Sequence, residues 1–153
     1  MSKVISAGVL LEHNGKFLIG HPTELTGTTN GWGILKGKID DGEHLLDAAL
    51  REFHEESNLD IASLIFKGLG VHISPRPFFR YDVKGKKLVY VFWALDTIGN
   101  TFKHKFSCPS LIDGTDKPEI DKYEWVNVDT AIDKVVESQK ELFRTVKELT
   151  KHK

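Results

Sequence analysis

Apolar side chains, small and branched, dominate residues 4–12, which reads as a buried strand. Asn14-Gly15 is a tight-turn signal, and Phe17-Leu-Ile-Gly returns as a second strand. His21-Pro22 ends it, and residues 23–31 are polar and glycine-containing, a loop that either shapes a pocket or merely connects. From residue 43 the period changes. Leu46, Ala49, Leu50 and Phe53 fall on one stripe at roughly 100° per residue, with no Pro, Gly or β-branched residue before Ser57. A helix is expected over 43–57, with Asp40, Asp41 and Glu43 suiting its positive end. Strands are expected near 64–66 and 69–73, stopped by Ser74-Pro-Arg-Pro, because proline supplies no ladder donor. A β-hairpin follows, 78–83 and 88–95 around the basic turn Lys84-Gly-Lys-Lys. Residues 96–116 keep no period, and Phe102-Lys-His-Lys-Phe106 within them reads as a base-stacking patch or as a partly buried loop. A short strand at 123–128, Asp129 as N-cap and a closing helical region marked by Ala131, Ile132, Val135, Val136, Leu142, Phe143, Val146 and Leu149 complete the chain. This order predicts an α/β architecture, a mixed sheet between helices. No repeat, low-complexity tract or linker divides it, so residues 1–153 read as one domain.

Composition narrows the classes. A chain of 153 residues with 40% hydrophobic and 28% charged side chains supports a core and is unlike a disordered segment. Its formal charge of −1 offers no long basic surface, so neither sequence-specific nucleic-acid binding nor attachment to an anionic membrane is expected. No apolar run approaches the roughly 18 residues of a membrane span, and the first ten residues lack a signal-peptide core. Cys108 is the sole cysteine, so a reducing, cytoplasmic setting is expected and the thiol reads as a bystander.

The candidate chemistry lies between Gly37 and Leu59. Glu52, Glu55 and Glu56 stand three and four residues apart, so they gather on one helix stripe. Like charges so placed repel by about 0.2–0.5 kcal/mol per pair in an isolated helix. One reading is a solvated acidic face; the other is a site for a hard divalent cation, which takes oxygen ligands and shares them with phosphates. Just upstream, Lys36 and Lys38 flank Gly37, where a turn would let backbone approach a phosphate. Beside a carboxylate cluster these lysines suit a polyphosphate chain; alone they would be ordinary surface lysines.

The stretch GKIDDGEHLLDAALREFHEESNL resembles the Nudix box: Gly, five residues, Glu, seven residues, then Arg-Glu-apolar-x-Glu-Glu-x-Gly-apolar. Gly37, Glu43, Arg51, Glu52, Phe53, Glu55, Glu56 and Leu59 match in register; Asn58 replaces the last Gly, and Asn tolerates the left-handed turn that ends a helix. The resemblance implies a helix–sheet–helix sandwich and Mg²⁺- or Mn²⁺-dependent hydrolysis of a nucleoside diphosphate linked to another group, by water attacking phosphorus. It implies Glu52, Glu55, Glu56 and the main-chain oxygen of Gly37 as cation ligands, with Arg51 and Glu43 tying loop to helix. Glu52 or Glu55 is a candidate general base. So is Glu119 ahead of Glu124, because residues 119–125 resemble the region that supplies an extra glutamate in diadenosine tetraphosphate hydrolases. Residues 32–43 are similar to a segment of those enzymes, with Leu35 for their proline, and Tyr81 resembles their adenine-stacking tyrosine, its other reading being a buried tyrosine of the hairpin. A dinucleoside polyphosphate is therefore the expected small-molecule partner. Pro75, 16 residues past Leu59, keeps ADP-ribose or a nucleotide sugar as alternatives, beside nucleoside triphosphates. A non-catalytic nucleotide-binding module and a structural protein with a solvated acidic helix are the readings from other classes.

Overall fold

The computed structural model describes residues 3–151. Strand β1 (Val4–His13) turns at Asn14-Gly15, both at positive φ, into β2 (Lys16–Pro22). One 3-10 turn and a loop lead to β3 (Leu35–Lys38), and the first helix, α1, spans Leu45–Ser57. A short α2 (Ile61–Phe66) precedes β4 (Val71–Ile73), β5 (Phe79–Val83) and β6 (Lys87–Asp96). After a long irregular segment come β7 (Ile120–Val126), α3 (Val128–Lys134) and α4 (Glu137–Thr150).

All seven strands join one mixed sheet in the order β4-β6-β1-β2-β7, with β3 also on β1 and β5 also on β6. β1 runs parallel to β6 and antiparallel to β2 and β3. Alternation then fills two cores. Ala7, Val9 and Leu11 of β1 pack with Phe92 and Ala94 under α1 and α2, joined by Ala48, Ala49, Phe53 and Ile61. Leu10, Val89 and Val91 face the other way, against Ala131, Leu142, Phe143 and Val146 of α3 and α4. Burial on both faces is why β1 carries a continuous apolar run rather than an alternating one.

One feature of the topology makes room for a site. β2 pairs with β1 only at Glu12–Phe17 and His13–Lys16, while β3 takes Ser6–Val9 of the same edge. β2 then departs to pair with β7, and a cleft opens between the two branches.

Three expectations need correction. Residues 64–66 are helical, because the Asp60 side chain accepts from Ser63 N–H at 3.1 Å and starts α2; Phe66 at its end is 92% exposed, with no sheet to join. The cap of α3 is Asn127, accepting from Thr130 N–H at 2.8 Å, whereas Asp129 lies in the first turn and pairs with Lys147. The acids at 40–43 lie in the turn before α1, which begins at Leu45. Asn58 closes that helix at φ 59°, as its tolerance of the left-handed region predicts.

Candidate active site

Arg51, projecting from the middle of α1, organises the loop before it. Its Nε and Nη2 donate to the two carboxylate oxygens of Glu43 at 2.8 and 2.9 Å, and Nη2 also reaches the Lys38 carbonyl at 3.1 Å. The fork-to-fork pair holds the Glu43 carboxyl at a pKa of about 2, helped by Asp40 N–H, and pushes the guanidinium's own value up. Its remaining nitrogen, Nη1, lies between two more carboxylates, Glu52 Oε1 at 2.8 Å and Glu55 Oε2 at 3.0 Å. The loop is thereby pinned to the helix through one side chain.

The three box glutamates differ in surroundings. Burial raises Glu52, with Arg51 opposing and Glu55 and Glu119 adding to the rise. Its carboxylate lies over Gly37, so closely that a Cβ there would sit 2.1 Å from it; any larger residue would displace the carboxylate. Glu55 is 44% exposed and lies toward solvent. Glu56 is buried, accepts from Lys36 N–H at 2.9 Å, and is pushed up to about 8 by burial and by the charges of Glu52 and Glu119.

Glu56 and Glu119 share a cavity of about 1040 Å³ with Lys36, Lys84 and Lys87. Lys36 is lowered by burial and then by its neighbour Lys87. Glu119 is held by its backbone: its carbonyl accepts from Thr23 N–H and its N–H donates to Ser110, both at 2.9 Å. The loop of residues 23–31 does shape the rim, with Glu24 and Gly31 on the cavity wall. It is anchored by Asp121, which lies 2.8 Å from Nδ1 of fully buried His21 and takes Thr26 Oγ1 at 2.6 Å. Glu124 pairs with Lys134, away from the cavity.

Two expected contacts differ. Tyr81 packs in the core at 8% exposure instead of presenting its ring to the cavity; its β5 register turns it inward, and its neighbour strand offers Lys87 there instead. Lys38 is exposed and contributes its carbonyl to Arg51 rather than its ammonium to the cavity.

The donor set suits a hard divalent cation. All donors are carboxylate or carbonyl oxygens, and raised Glu52 and Glu56 carry mutual repulsion that a cation would relieve. The converging ligand set implied by the resemblance is nevertheless not assembled: among the described residues no three His, Cys, Asp or Glu side chains stand ready to hold a metal. The guanidinium of Arg51 engages one oxygen each of Glu52 and Glu55, while Glu56 turns to the cavity wall.

A NUDIX domain model matches residues 2–146. The chain belongs to the Nudix family. Among curated Nudix relatives, it is 31% identical over 121 residues to the RNA pyrophosphohydrolase of Wolbachia sp. subsp. Brugia malayi (strain TRS), covering 75% of this chain and 70% of that one. It is 29% identical over 101 residues to mRNA decapping complex subunit 2 of Schizosaccharomyces pombe, covering 65% of this chain but only 11% of that protein. The Nudix fold is also that of a C. elegans Ap4A hydrolase binary complex, at TM-score 0.72 and 18% identity over 97% of this chain and 99% of the other.

Among the polar residues of this Nudix domain's cavity that the sequence left unassigned are Lys87 and Gln139. Lys87 lies in what reads as a basic turn, and the pairing of β1 with both β6 and β3 brings it near Lys36. Gln139 of α4 is 2% exposed, fixes Ile34 N–H at 2.9 Å and lies against Gly33. A polar residue on the apolar stripe of a closing helix was the available signal.

Proposed function

We propose that this Nudix hydrolase cleaves a phosphoanhydride of a nucleoside polyphosphate, with a dinucleoside polyphosphate as the leading substrate. The observation that carries the reading is the shared cavity, which the carboxylates Glu56 and Glu119 line together with the lysines Lys36, Lys84 and Lys87. Lysines there would hold the polyphosphate and offset charge on the departing phosphate. Glu52, Glu55, Glu56 and the Gly37 carbonyl would hold Mg²⁺ or Mn²⁺, which when bound screens the anion and acidifies a water. Glu119, hydrogen-bonded among the described residues through its backbone and open to the cavity, is the preferred general base, with Glu52 and Glu55 as the box alternatives. Arg51 and Glu43 orient those glutamates without touching the reacting atoms.

A second substrate reading, the 5′-polyphosphate end of RNA, is favoured by the curated relative named RNA pyrophosphohydrolase. ADP-ribose ranks below both, since Pro75, its sequence cue, does not line the cavity. The test is product analysis with Mg²⁺ on diadenosine tetraphosphate, 5′-triphosphorylated RNA, ADP-ribose and a nucleoside triphosphate side by side. Fastest cleavage of the dinucleotide supports the leading reading, and fastest cleavage of the RNA end replaces it with the second. Glu55→Gln is expected to lower turnover by about 10²-fold or more; an unchanged rate removes the assigned site.

A further inference from the structure

The last turn of α1 ends in carbonyls its own ladder does not reach, and a helix terminus must place such groups elsewhere. Here each finds a donor from the irregular segment or from β7. The Glu55 carbonyl accepts Ser110 N–H at 3.1 Å and lies 3.6 Å from the Cys108 thiol. The Glu56 carbonyl accepts the Tyr123 hydroxyl. The Ser57 carbonyl accepts Ser107 N–H at 3.3 Å, with a His104 ring nitrogen at 3.2 Å. Phe106 stacks on Tyr123 at 5.3 Å between centroids, which keeps the phenol in place.

The same segment carries Glu119. Ser110 gives its N–H to Glu55 and its carbonyl to Glu119 N–H at 2.9 Å, so one residue bridges the box helix and the preferred base through two backbone hydrogen bonds. Carboxylates at the negative end of a helix dipole are also unfavourably placed. Donors on those carbonyls partly cancel the field that Glu55 and Glu56 experience.

We propose that residues 104–110 together with Tyr123 form a brace that sets the separation between the box glutamates and Glu119, with Tyr123 and Cys108 as positioning residues. This rests on the reading of Glu52, Glu55, Glu56 and Glu119 given above and goes beyond it, since neither positioning residue lines the cavity. Loss of a brace contact lets the last turn of α1 drift relative to Glu119. Binding of the nucleotide, held mainly by lysines, is then preserved while turnover and cation affinity fall.

Tyr123→Phe keeps the stacked ring and deletes the hydroxyl. It is expected to lower kcat about tenfold with KM changed less than about twofold. Mn²⁺ affinity, measured by titration in the presence of a non-hydrolysable nucleotide, should weaken at least about threefold. Cys108→Ala, which removes a weaker donor, is expected to lower kcat about two- to threefold, and Cys108→Ser, which keeps a donor, to restore it. Circular dichroism confirms folding in each case, and if Tyr123→Phe does not fold the cysteine pair decides. Folded variants with unchanged kcat and unchanged Mn²⁺ affinity overturn the brace. A wild-type protein that binds Mn²⁺ yet cleaves none of the four substrates overturns the hydrolase reading instead, and the Mn²⁺ titrations still judge the brace.

Discussion

Arg51 makes five hydrogen bonds, two to Glu43 and one each to Glu52, Glu55 and the Lys38 carbonyl. A lysine cannot serve all of them, because its ammonium lacks the planar fork that meets Glu43 with two parallel bonds. Arg51→Lys is therefore expected to destabilise the fold by about 2 kcal/mol, read as the shift in a urea unfolding midpoint. Glu43→Gln should cost a similar amount at neutral pH. The sign of its acid dependence is fixed: the folded-state value near 2 lies below the ordinary 4.5, so the pair's contribution is present above pH 4.5 and lost as pH falls through about 2. A wild-type and Glu43→Gln difference in stability that stays constant between pH 6 and pH 2 would contradict the assignment. Gly37 makes a contrasting case. The carboxylate end of Glu52, not backbone, occupies the space of a Cβ, and that end can swing away. Gly37→Ala is thus expected to change stability by less than about 1 kcal/mol while lowering kcat about tenfold or more, because it moves a ligand without unfolding a strand.

Helix α1 shows how much of an element its residues declare. The Leu46, Ala49, Leu50, Phe53 stripe, the uninterrupted span and the Asn58 stop were all legible, and the structure places Ala49 and Phe53 in the core beneath the sheet. The resemblance to the Nudix box likewise implied the Arg51–Glu43 tie, and the structure shows it. Legibility failed where a local cap competed with side-chain type. Residues 64–66 are branched and aromatic, yet one Asp60 carboxylate on Ser63 N–H turns them into helix. Asp60→Ala is expected to cost about 1 kcal/mol and to loosen α2 selectively, measured as faster amide exchange over Ile61–Phe66 with α1 unaffected. It failed again over residues 96–116, which have no period because hydrogen bonds rather than burial shape them. Buried Asp96 accepts from Ile98, Gly99 and Thr101 N–H and from the Thr101 hydroxyl, and those bonds outweigh burial to keep its carboxyl below the ordinary value. The Phe102–Phe106 patch packs on Trp125 and Tyr123, so of the two readings the partly buried loop is the one realised. Tyr81 lies on the hairpin strand as expected, and of its two readings the buried hairpin tyrosine is the one the structure places.

The three-layer architecture puts the acidic helix on one face, Gln139 of α4 on the other, and opens the sheet edge between β2 and β3 so that both reach a common cavity. Unfavourable charge is concentrated around that cavity, and the whole fold registers it. Glu56, with a folded-state value near 8 against an ordinary 4.5, takes up its proton more readily when folded than when unfolded. Between those values the folded state holds the extra proton, so the stability contribution is full below pH 4.5, declines as pH rises and is gone above about 8. Without divalent cation, melting temperature should therefore fall from pH 5 to pH 8 by more than in Glu56→Gln, which lacks the ionisation and should be the more stable protein at pH 8. The gap is on the order of a few kcal/mol. Mg²⁺ or Mn²⁺ should reverse this in wild type, raising its melting temperature far more at pH 8 than at pH 5, because ligation competes with the proton for the same carboxylates. Glu56→Gln should show little cation response at either pH. Calorimetric scans of both proteins with chelator and with cation, at the two pH values, give the four comparisons. Equal cation shifts at pH 5 and pH 8 in wild type would mean that the ion binds where no raised carboxylate is involved, and the Glu52–Glu56 cluster would lose its assigned role.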